Sequence, residues 1–244
     1  MVNTADAGDT RLVNLRDLGG LPIVGGGTTR FGILYRGDAL YPGDVDPDHV
    51  AVWPPAAVID LRSQEEADRV GYVWPSGPDV HVHPLHDAAA PTRQIPDTLR
   101  EIYASMVQTR AGRIAGTVAL AARADGPVFV HCAVGKDRTG VVVAVLLLAA
   151  GVEPRAVIDD YLATEANLVP LRSRLRSKAS PSATQAPRPP VPRGLFAVSP
   201  EAIGEVVDAV SSRPGGAAAW LTAHGAEQSD VDRWRRRLAN REHS

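Results

Sequence analysis

The chain of 244 residues is long enough to bury a hydrophobic core, and its length favours one domain. Apolar residues make up 44% of the sequence and charged residues 22%, which is ordinary for a soluble globular protein. A formal net charge of -2 provides no overall attraction to nucleic acid, so we expect no nucleic-acid partner.

The sequence predicts neither a leader peptide nor a membrane span. The first residues lack the basic and then apolar layout of a signal peptide. The longest apolar run, Val141 to Val152, is interrupted by Gly151 and is too short to cross a bilayer, so it is read as a buried helix. We therefore expect a cytoplasmic protein. Cys132 is the single cysteine, which excludes an internal disulfide and a cysteine-rich zinc site.

Short apolar runs rich in β-formers alternate with helical patterns. The predicted strands are Ile33–Tyr35, Ala57–Leu61, Val80–Leu85 and Pro127–Val130. The predicted helices cover Leu99–Val107, Ile114–Ala122, the residues from Thr139 onward, and Pro154–Leu162. This alternation predicts an α/β sandwich in which helices flank a mostly parallel central sheet.

Residues 177–193 are a mixture of Ser, Ala and Pro without periodicity, so we predict a flexible insertion. Basic residues without any acidic residue run from just before this segment to its end: Arg172, Arg174, Arg176, Lys178, Arg188 and Arg193. Such a segment is able to contact an anionic membrane or a phosphoinositide surface, but a solvated linker is the favoured interpretation.

Further helices are predicted after the insertion. Ser199 caps one helix with Pro200 at its first position, and Ser229 with Asp232 resembles a capping box that begins the last helix. We predict a single domain over residues 1–244, of which residues 199–241 form a C-terminal helical part.

Residues 131–140, HCAVGKDRTG, connect a predicted strand to a predicted helix. In such a turn the backbone N–H groups point inward and the helix N-terminus adds a positive dipole, and both favour a bound phosphate dianion. The same field favours the thiolate of Cys132 and makes it a nucleophile. Arg138, six positions after the cysteine, is able to hold two phosphoryl oxygens with its planar guanidinium. This turn is therefore a predicted phosphate site with its own nucleophile.

Other positions of this loop have predicted supporting roles. The residues expected to bind phosphate by lying in the loop are His131, Ala133, Val134, Gly135, Lys136 and Gly140. The two glycines allow the backbone to approach the ligand closely. Thr139 places a hydroxyl near the sulfur, where it helps the thiolate leave a phosphoenzyme, and His131 fixes the loop by side-chain hydrogen bonds.

The loop matches the HCxxGxxR[ST]G pattern of the protein-tyrosine phosphatase superfamily. It resembles most closely the GKDRTG variant of bacterial tyrosine phosphatases that also accept phosphoinositides. Three further stretches are similar to the same family: NLRDLGG at 14–20, LYRG at 34–37 and VIDLRS at 58–63. The resemblance implies the three-layer fold of these phosphatases with added C-terminal helices.

The resemblance also implies a reaction. Cys132 attacks a phosphotyrosine protein, a cysteinyl-phosphate intermediate forms, and water hydrolyses it, with no metal and no cofactor. Phosphate or another oxyanion is expected to inhibit. Dual-specificity or phosphoinositide phosphatase activity is the close alternative, and the sequence leaves the physiological substrate and the oligomeric state open.

This reaction needs an acid for the leaving group, which the superfamily takes from an aspartate upstream of the cysteine. Asp87 is the best placed, since it follows the strand predicted at Val80–Leu85 and begins an Ala- and Pro-rich stretch. Asp79, Asp97 and Asp125 are alternatives that are more typical of turns, helix starts or solvated carboxylates.

Asp137 lies inside the loop, where a carboxylate beside a bound dianion must be protonated or paired. We expect it to act as a second acid or base, or to orient the loop by pairing with Arg16, Arg36 or Arg62. Lys136 is expected to add positive charge at the pocket rim, and a solvated lysine is the alternative.

The arginines of the resembling stretches have two open interpretations each. Arg16 and Asp17 are expected to buttress the loop as an ion pair, with direct substrate contact by Arg16 as the alternative. Arg36 and Arg62 lie at strand ends, where α/β folds bind ligands. Surface ion pairs with Asp38 or Glu65 explain these two arginines equally well.

Three other assignments remain as alternatives. The chain could be a phosphate-binding module without turnover, although Cys132, Arg138 and Thr139 argue against this. A rhodanese-like sulfurtransferase also presents a cysteine on a strand-to-helix loop, but it does not require the arginine. A metal site at His81, His83 and His86 is disfavoured, because no acidic or cysteine ligand accompanies them except Asp87.

Overall fold

A computed structural model describes residues 10–85, 98–178 and 196–240. Its main sheet has five strands in the order β1-β3-β6-β4-β5. These strands are β1 Arg16–Asp17, β3 Leu34–Gly37, β6 Val128–His131, β4 Ala57–Asp60 and β5 Asp79–Val82. Only the pairing of β1 with β3 is antiparallel within this sheet. A separate two-stranded sheet pairs β2 Thr28–Thr29 with β7 Ala239–Asn240.

Helices pack against the central sheet and against each other. The α-helices are α1 Gln64–Val70, α2 Leu99–Thr109, α3 Ala111–Arg123, α4 Asp137–Ala150, α5 Pro154–Leu162, α6 Leu168–Lys178, α7 Pro200–Ser211, α8 Gly216–Ala223 and α9 Gln228–Leu238. A 3-10 helix, Ala163–Asn167, joins α5 to α6. The predicted α/β class with a mainly parallel sheet is confirmed.

The apolar helix α4 is the centre of the core. Every residue from Thr139 to Ala150 is buried. A helix that is apolar on all sides has to be covered on all sides, and here the sheet lies on one side while α5, α7, α8 and α9 pack on the others. Buried residues of α7 and α9, such as Ile203 and Trp234, belong to the same cluster as α4.

The parallel strands bring the sequence motifs to one edge. Gly37 at the end of β3 and Asp60 at the end of β4 are both in register with His131 at the end of β6. The loop that follows His131 therefore starts between two neighbouring strand ends, and α4 begins directly after it at Asp137. This arrangement places the predicted phosphate loop at the carboxyl edge of the sheet.

Several predicted boundaries need correction. The third predicted strand ends at Val82, not at Leu85. Ser177 and Lys178, predicted to begin the flexible insertion, form the end of α6, while residues 179–193 of that insertion lie outside the described ranges. The helix predicted to begin at Ser229 starts at Gln228 after Glu227, and the predicted capping box is wrong because its first residue is already inside the helix. The cap at Ser199 is confirmed, since its hydroxyl accepts from the N–H of Ala202 at 3.1 Å.

Candidate active site

The phosphate loop fits closely against the end of β3. Gly135 has φ of 71°, in the left-handed region, and a Cβ there would collide with the carbonyl of Gly37. Gly140, in the first turn of α4, faces the ring of Tyr161, and a Cβ there would lie 2.9 Å from ring atom Cδ2. Both predicted glycines are thus required by space, and Gly135 by conformation as well.

Side chains from outside the loop hold its carbonyl groups. The amide of Asn14 donates to the carbonyl of Val134 at 3.3 Å and to that of Gly135 at 3.1 Å. Nη2 of Arg36 also donates to the Gly135 carbonyl, at 3.0 Å. In a trans peptide the C=O and the following N–H point in opposite directions. Outward carbonyls therefore aim the N–H groups of Gly135 and Lys136 toward the inside of the loop.

A buried ion-pair cluster supports these braces. Asp160 of α5 accepts from Nε of Arg16 at 2.7 Å and from Nη1 of Arg36 at 2.5 Å. Arg16 in turn donates to the side-chain oxygen of Asn14 at 2.8 Å. Burial opposes ionisation of Asp160, but the two guanidinium groups outweigh it and hold its pKa below the ordinary value. The cluster therefore fixes Asn14 and Arg36 behind the loop.

The ion pairs predicted from nearby sequence positions are wrong. Arg16 does not pair with Asp17, whose carboxylate instead accepts from the backbone N–H groups of Gly19 at 2.9 Å and Gly32 at 2.7 Å. Arg36 pairs with Asp160 and not with Asp38.

Arg62 is a third arginine with a partner other than the predicted one. It pairs with Asp60 at 2.6 Å, whereas Glu65 pairs with Arg69. Arg36 contacts the outward carbonyl of Gly135, and Arg16 contacts Asn14 behind the loop. Direct substrate contact by either arginine stays a prediction.

Cys132 and His131 end the central strand. Cys132 is 3% exposed, at the first position after β6. Nδ1 of His131 lies 3.2 Å from the Cys132 carbonyl oxygen, which only accepts, so this contact requires the tautomer with the proton on Nδ1. The ring stacks on Phe129 with centroids 4.9 Å apart, and burial lowers the pKa of His131, which favours the neutral form. His131 thus fixes the strand end, as a loop-holding role requires.

Arg138 is held by a residue that the sequence analysis did not identify. Glu66 of α1 accepts from Nη1 of Arg138 at 2.7 Å and from Nη2 at 2.8 Å, while Nη1 also donates to the carbonyl of Leu61 at 3.2 Å. Glu66 accepts from the backbone N–H of Ser63 as well, at 2.9 Å, in a capping box. The Ser-x-x-Glu spacing from 63 to 66 was the available sequence signal.

Asp137 has different partners from the arginines predicted for it. Its Oδ1 accepts from the hydroxyl of Tyr103 at 2.7 Å and lies 3.1 Å from Nζ of Lys136. Lys136 also donates to the carbonyl of Ala197 at 2.7 Å, and its side chain is 2% exposed. The solvated-lysine alternative is therefore wrong. Tyr103 lies within the helix predicted over Leu99–Val107, and hydrophobic spacing alone did not indicate its polar role.

The remaining loop position is Thr139. Its side-chain oxygen is buried and has no hydrogen-bond partner within residues 10–85, 98–178 and 196–240. Because Thr139 lies in the first turn of α4, the proposed role beside the sulfur stays a prediction.

The aspartates considered as the acid for the leaving group lie in different parts of the chain. Asp87 lies outside the described residues, as do His86 and Asp97, so the assignment of Asp87 stays a prediction. Asp79 begins β5, and Asp125 precedes β6. Since both strands run parallel toward the carboxyl edge, these two aspartates lie at the opposite edge from the loop.

Two further sequence hypotheses concern other side chains. In the part of the chain that the structure describes, no group of three potential ligands is close enough to hold a metal ion. His81 pairs with Asp79 at 3.1 Å, and His83 contacts the carbonyl of Arg113 at 2.6 Å. No helix within the described ranges is long and apolar enough to cross a membrane.

The basic run before the insertion is only partly solvated. Arg174 is 2% exposed, pairs with Asp38 at 3.0 Å and also pairs with Asp44. Arg172 lies over the ring of Phe196 at 4.9 Å. The solvated-linker interpretation is therefore wrong for Arg174, while Arg188 and Arg193 lie outside the described residues.

The fold and the loop together define a class, namely enzymes that use a cysteine thiolate to cleave phosphate esters. The chain belongs to the tyrosine phosphatase family, whose sequence model matches residues 10–240. The predictions of this family and of a protein-tyrosine phosphatase hydrolase are thereby confirmed.

Individual relatives agree with this family. The chain is 26% identical to the triple specificity protein phosphatase PtpB of Mycobacterium tuberculosis, over 73% of this chain and 80% of that protein. It is 30% identical to a putative tyrosine-protein phosphatase of Cupriavidus necator, over 61% of this chain and 59% of the relative. A tyrosine-protein phosphatase of Nostoc commune is also 30% identical, over 49% of this chain and 41% of the relative.

Proposed function

We propose that the protein hydrolyses phosphotyrosine in proteins through a cysteinyl-phosphate intermediate. The observation that carries this proposal is the position of Cys132 at the end of β6, where a loop with inward N–H groups leads into the N-terminus of α4. The thiolate of Cys132 forms an S–P bond as the P–O bond to the leaving group breaks. Water then attacks phosphorus, the S–P bond breaks, and inorganic phosphate and the thiolate are released.

Arg138 supplies the charge that this transfer needs. Two of its nitrogens are held by Glu66 at 2.7 and 2.8 Å, so the guanidinium is oriented before the substrate arrives. A pre-oriented cation stabilises the equatorial oxygens of the transferring phosphoryl group more than it stabilises the ground state. Asp87 is the proposed acid that protonates the leaving oxygen.

A wider substrate range is the second candidate. One relative carries the name of a triple specificity protein phosphatase, and this name supports the alternative of dual-specificity or phosphoinositide phosphatase activity. Lys136 gives this candidate less support than its sequence position implied, because its ammonium already contacts Asp137 and the Ala197 carbonyl. We therefore place phosphotyrosine first.

The test compares wild type with Cys132→Ser and Arg138→Lys on p-nitrophenyl phosphate, a phosphotyrosyl peptide, a phosphoseryl peptide and a phosphoinositide. We expect Cys132→Ser to abolish turnover and to keep phosphate binding, and Arg138→Lys to lose much of both. Intact turnover in Cys132→Ser would refute the cysteinyl-phosphate route. A wild type that binds phosphopeptides without hydrolysing them would instead indicate a binding module.

Three further expectations accompany this function. We propose that residues 1–244 fold as one domain, a proposal supported by the buried cluster that α7 and α9 share with α4. Inhibition by phosphate or vanadate-like oxyanions is expected from the loop. The cytoplasmic location stays a prediction. The sulfurtransferase alternative has lost its basis, because the family assignment accounts for both the cysteine and the arginine.

A further inference from the structure

A chain of hydrogen bonds leads through the protein to the carboxylate of Asp137. The backbone N–H of Ser199, at the start of α7, lies 3.4 Å from the hydroxyl oxygen of Tyr161 on α5. The hydroxyls of Tyr161 and Tyr103 are 2.7 Å apart, and their rings meet edge to face. The hydroxyl of Tyr103, on α2, then donates to Oδ1 of Asp137 at 2.7 Å. Three helices thus converge on one loop carboxylate.

The direction of this chain follows from the number of protons. Each phenol has one proton, and an ionised carboxylate only accepts, so the proton of Tyr103 goes to Asp137. The Tyr103 oxygen therefore accepts from Tyr161, which accepts from the Ser199 N–H. Burial raises the pKa of Tyr161 to about 12, and burial with the nearby Asp137 raises the pKa of Tyr103 further above its ordinary value. Both phenols consequently stay protonated donors at any working pH.

Charged groups face Asp137 and its relay from each side. Nζ of Lys136 lies 3.1 Å from the same Oδ1, and the guanidinium of Arg36 on β3 acts on Tyr161. The Asp137 side chain is 31% exposed, whereas Tyr103 is 1% exposed. Asp137 is thus open to solvent on one side and held by fixed donors on the other. A carboxylate in this setting is able to exchange a proton with a ligand or a water molecule.

We infer that Tyr103 is a positioning residue that fixes the carboxylate of Asp137 at the loop, with Tyr161 acting through Tyr103. This inference rests on the proposed phosphatase function. It assigns to the two tyrosines control over the position that Asp137 holds beside the phosphate loop during turnover. Neither tyrosine touches the phosphoryl group in this scheme.

The test compares kcat and KM for Tyr103→Phe and Tyr161→Phe on a phosphotyrosyl peptide. Loss of the Tyr103 hydroxyl removes the hydrogen bond that fixes the Asp137 carboxylate, so kcat is expected to fall by about 10-fold while KM changes by less than about twofold. Tyr161→Phe is expected to lower kcat by less, because that hydroxyl only orients and polarises Tyr103. Tyr72→Phe is the matched control, since Tyr72 packs against Trp74 in the cluster on the other face of the sheet. It is expected to leave kcat and KM unchanged.

A double-mutant cycle separates positioning from general stability. In an Asp137→Asn background, Tyr103→Phe has no carboxylate to position and is expected to cause no further loss of kcat. A loss of kcat that is equally large in that background, or a Tyr103→Phe enzyme with the kcat of wild type, would overturn the inference. A lower melting temperature without a fall in kcat would also overturn it, because that is the result of a purely structural role.

Two outcomes keep the inference distinct from the proposed function. If wild type shows no turnover that depends on Cys132, the proposed function fails. If turnover depends on Cys132 and Tyr103→Phe keeps the kcat of wild type, only the role of Tyr103 fails. Should Tyr103→Phe not fold, the smaller fall in kcat expected for Tyr161→Phe decides the matter: its presence supports the relay, and its absence refutes it.

Discussion

Glu66→Gln is expected to weaken catalysis through Arg138 without touching the phosphate loop itself. The carboxylate now takes one hydrogen bond on each oxygen from Arg138, and its Oε2 also accepts from the N–H of Ser63. Glutamine keeps a single acceptor oxygen, and its NH2 group faces a guanidinium that also only donates. The variant therefore loses one charge-assisted bond and the negative charge that orients Arg138.

The size of the effect follows from that loss. A hydrogen bond to a charged group contributes about 2 kcal/mol, and the side chains of Arg138 and Glu66 are only 14% and 35% exposed. If the lost orientation is felt fully in the transition state, kcat/KM falls by about 30-fold. Glutamine at position 66 is still able to accept from the Ser63 N–H, so the capping box is weakened by less than about 1 kcal/mol and the protein stays folded at assay temperature.

The assay is kcat and KM on a phosphotyrosyl peptide, with thermal melting measured in parallel. Glu65→Gln is the control, because Glu65 is the adjacent acid of the same helix and pairs with Arg69 on the surface. It is expected to change kcat/KM by less than about twofold, as exposed ion pairs contribute little. A Glu66→Gln enzyme with wild-type kcat/KM would refute the argument that Glu66 orients Arg138.

The remaining predictions concern the buried cluster and the leaving group. Asp160→Asn leaves Arg16 and Arg36 without their anion and is expected to reduce the free energy of unfolding by about 3 kcal/mol, measured by urea denaturation at pH 7. The pKa of Asp160 is lowered in the folded state, so its contribution to stability is present above about pH 4 and is lost as the pH falls further. The variant is therefore expected to lose less free energy of unfolding than wild type between pH 7 and pH 3. Parallel plots of the free energy of unfolding against pH would contradict this. Asp87→Asn is expected to slow the turnover of substrates with poor leaving groups, and this turnover should no longer depend on a protonated acid. Turnover of p-nitrophenyl phosphate is expected to change less. An unchanged pH–rate profile would show that another residue is the acid.

The sequence predicts the loop well because its chemistry is local. Cys132 and Arg138 are separated by a fixed number of residues on one strand-to-helix turn. Gly135 is required because a neighbouring strand end approaches it too closely for a side chain. The braces could not be predicted in the same way. Arg36 and Asp160 are 124 positions apart, and Arg138 and Glu66 are 72 positions apart. Pairing Arg16 and Arg36 with acids nearby in sequence failed, because the fold brings the distant Asp160 to both of them. Arg62 does pair with a nearby acid, but with Asp60 and not with Glu65.

The same difference explains the missed tyrosine. The spacing of Tyr103 on α2 correctly predicts a buried position, but hydrophobic periodicity does not reveal which way a phenol hydroxyl points. A buried hydroxyl must find a partner, so each buried tyrosine on a predicted helix is a candidate for a polar contact with the nearest motif. Asp137 was expected to need a partner, and only the packing of α2 against α4 shows that the partner is a phenol and not an arginine.

The positive field at the loop comes from behind it and not from its lysine. Three of the nearby cations each pair with a separate carboxylate, so the charges within each pair offset one another. These pairs are Arg138 with Glu66, Lys136 with Asp137, and Arg62 with Asp60. The cluster behind the loop differs, since Arg16 and Arg36 share the single anion of Asp160. Within the described residues this cluster therefore has one more cation than anions, next to the Gly135 carbonyl, where little water screens the charge. Together with the N-terminus of α4, this excess charge favours the binding of a phosphate dianion.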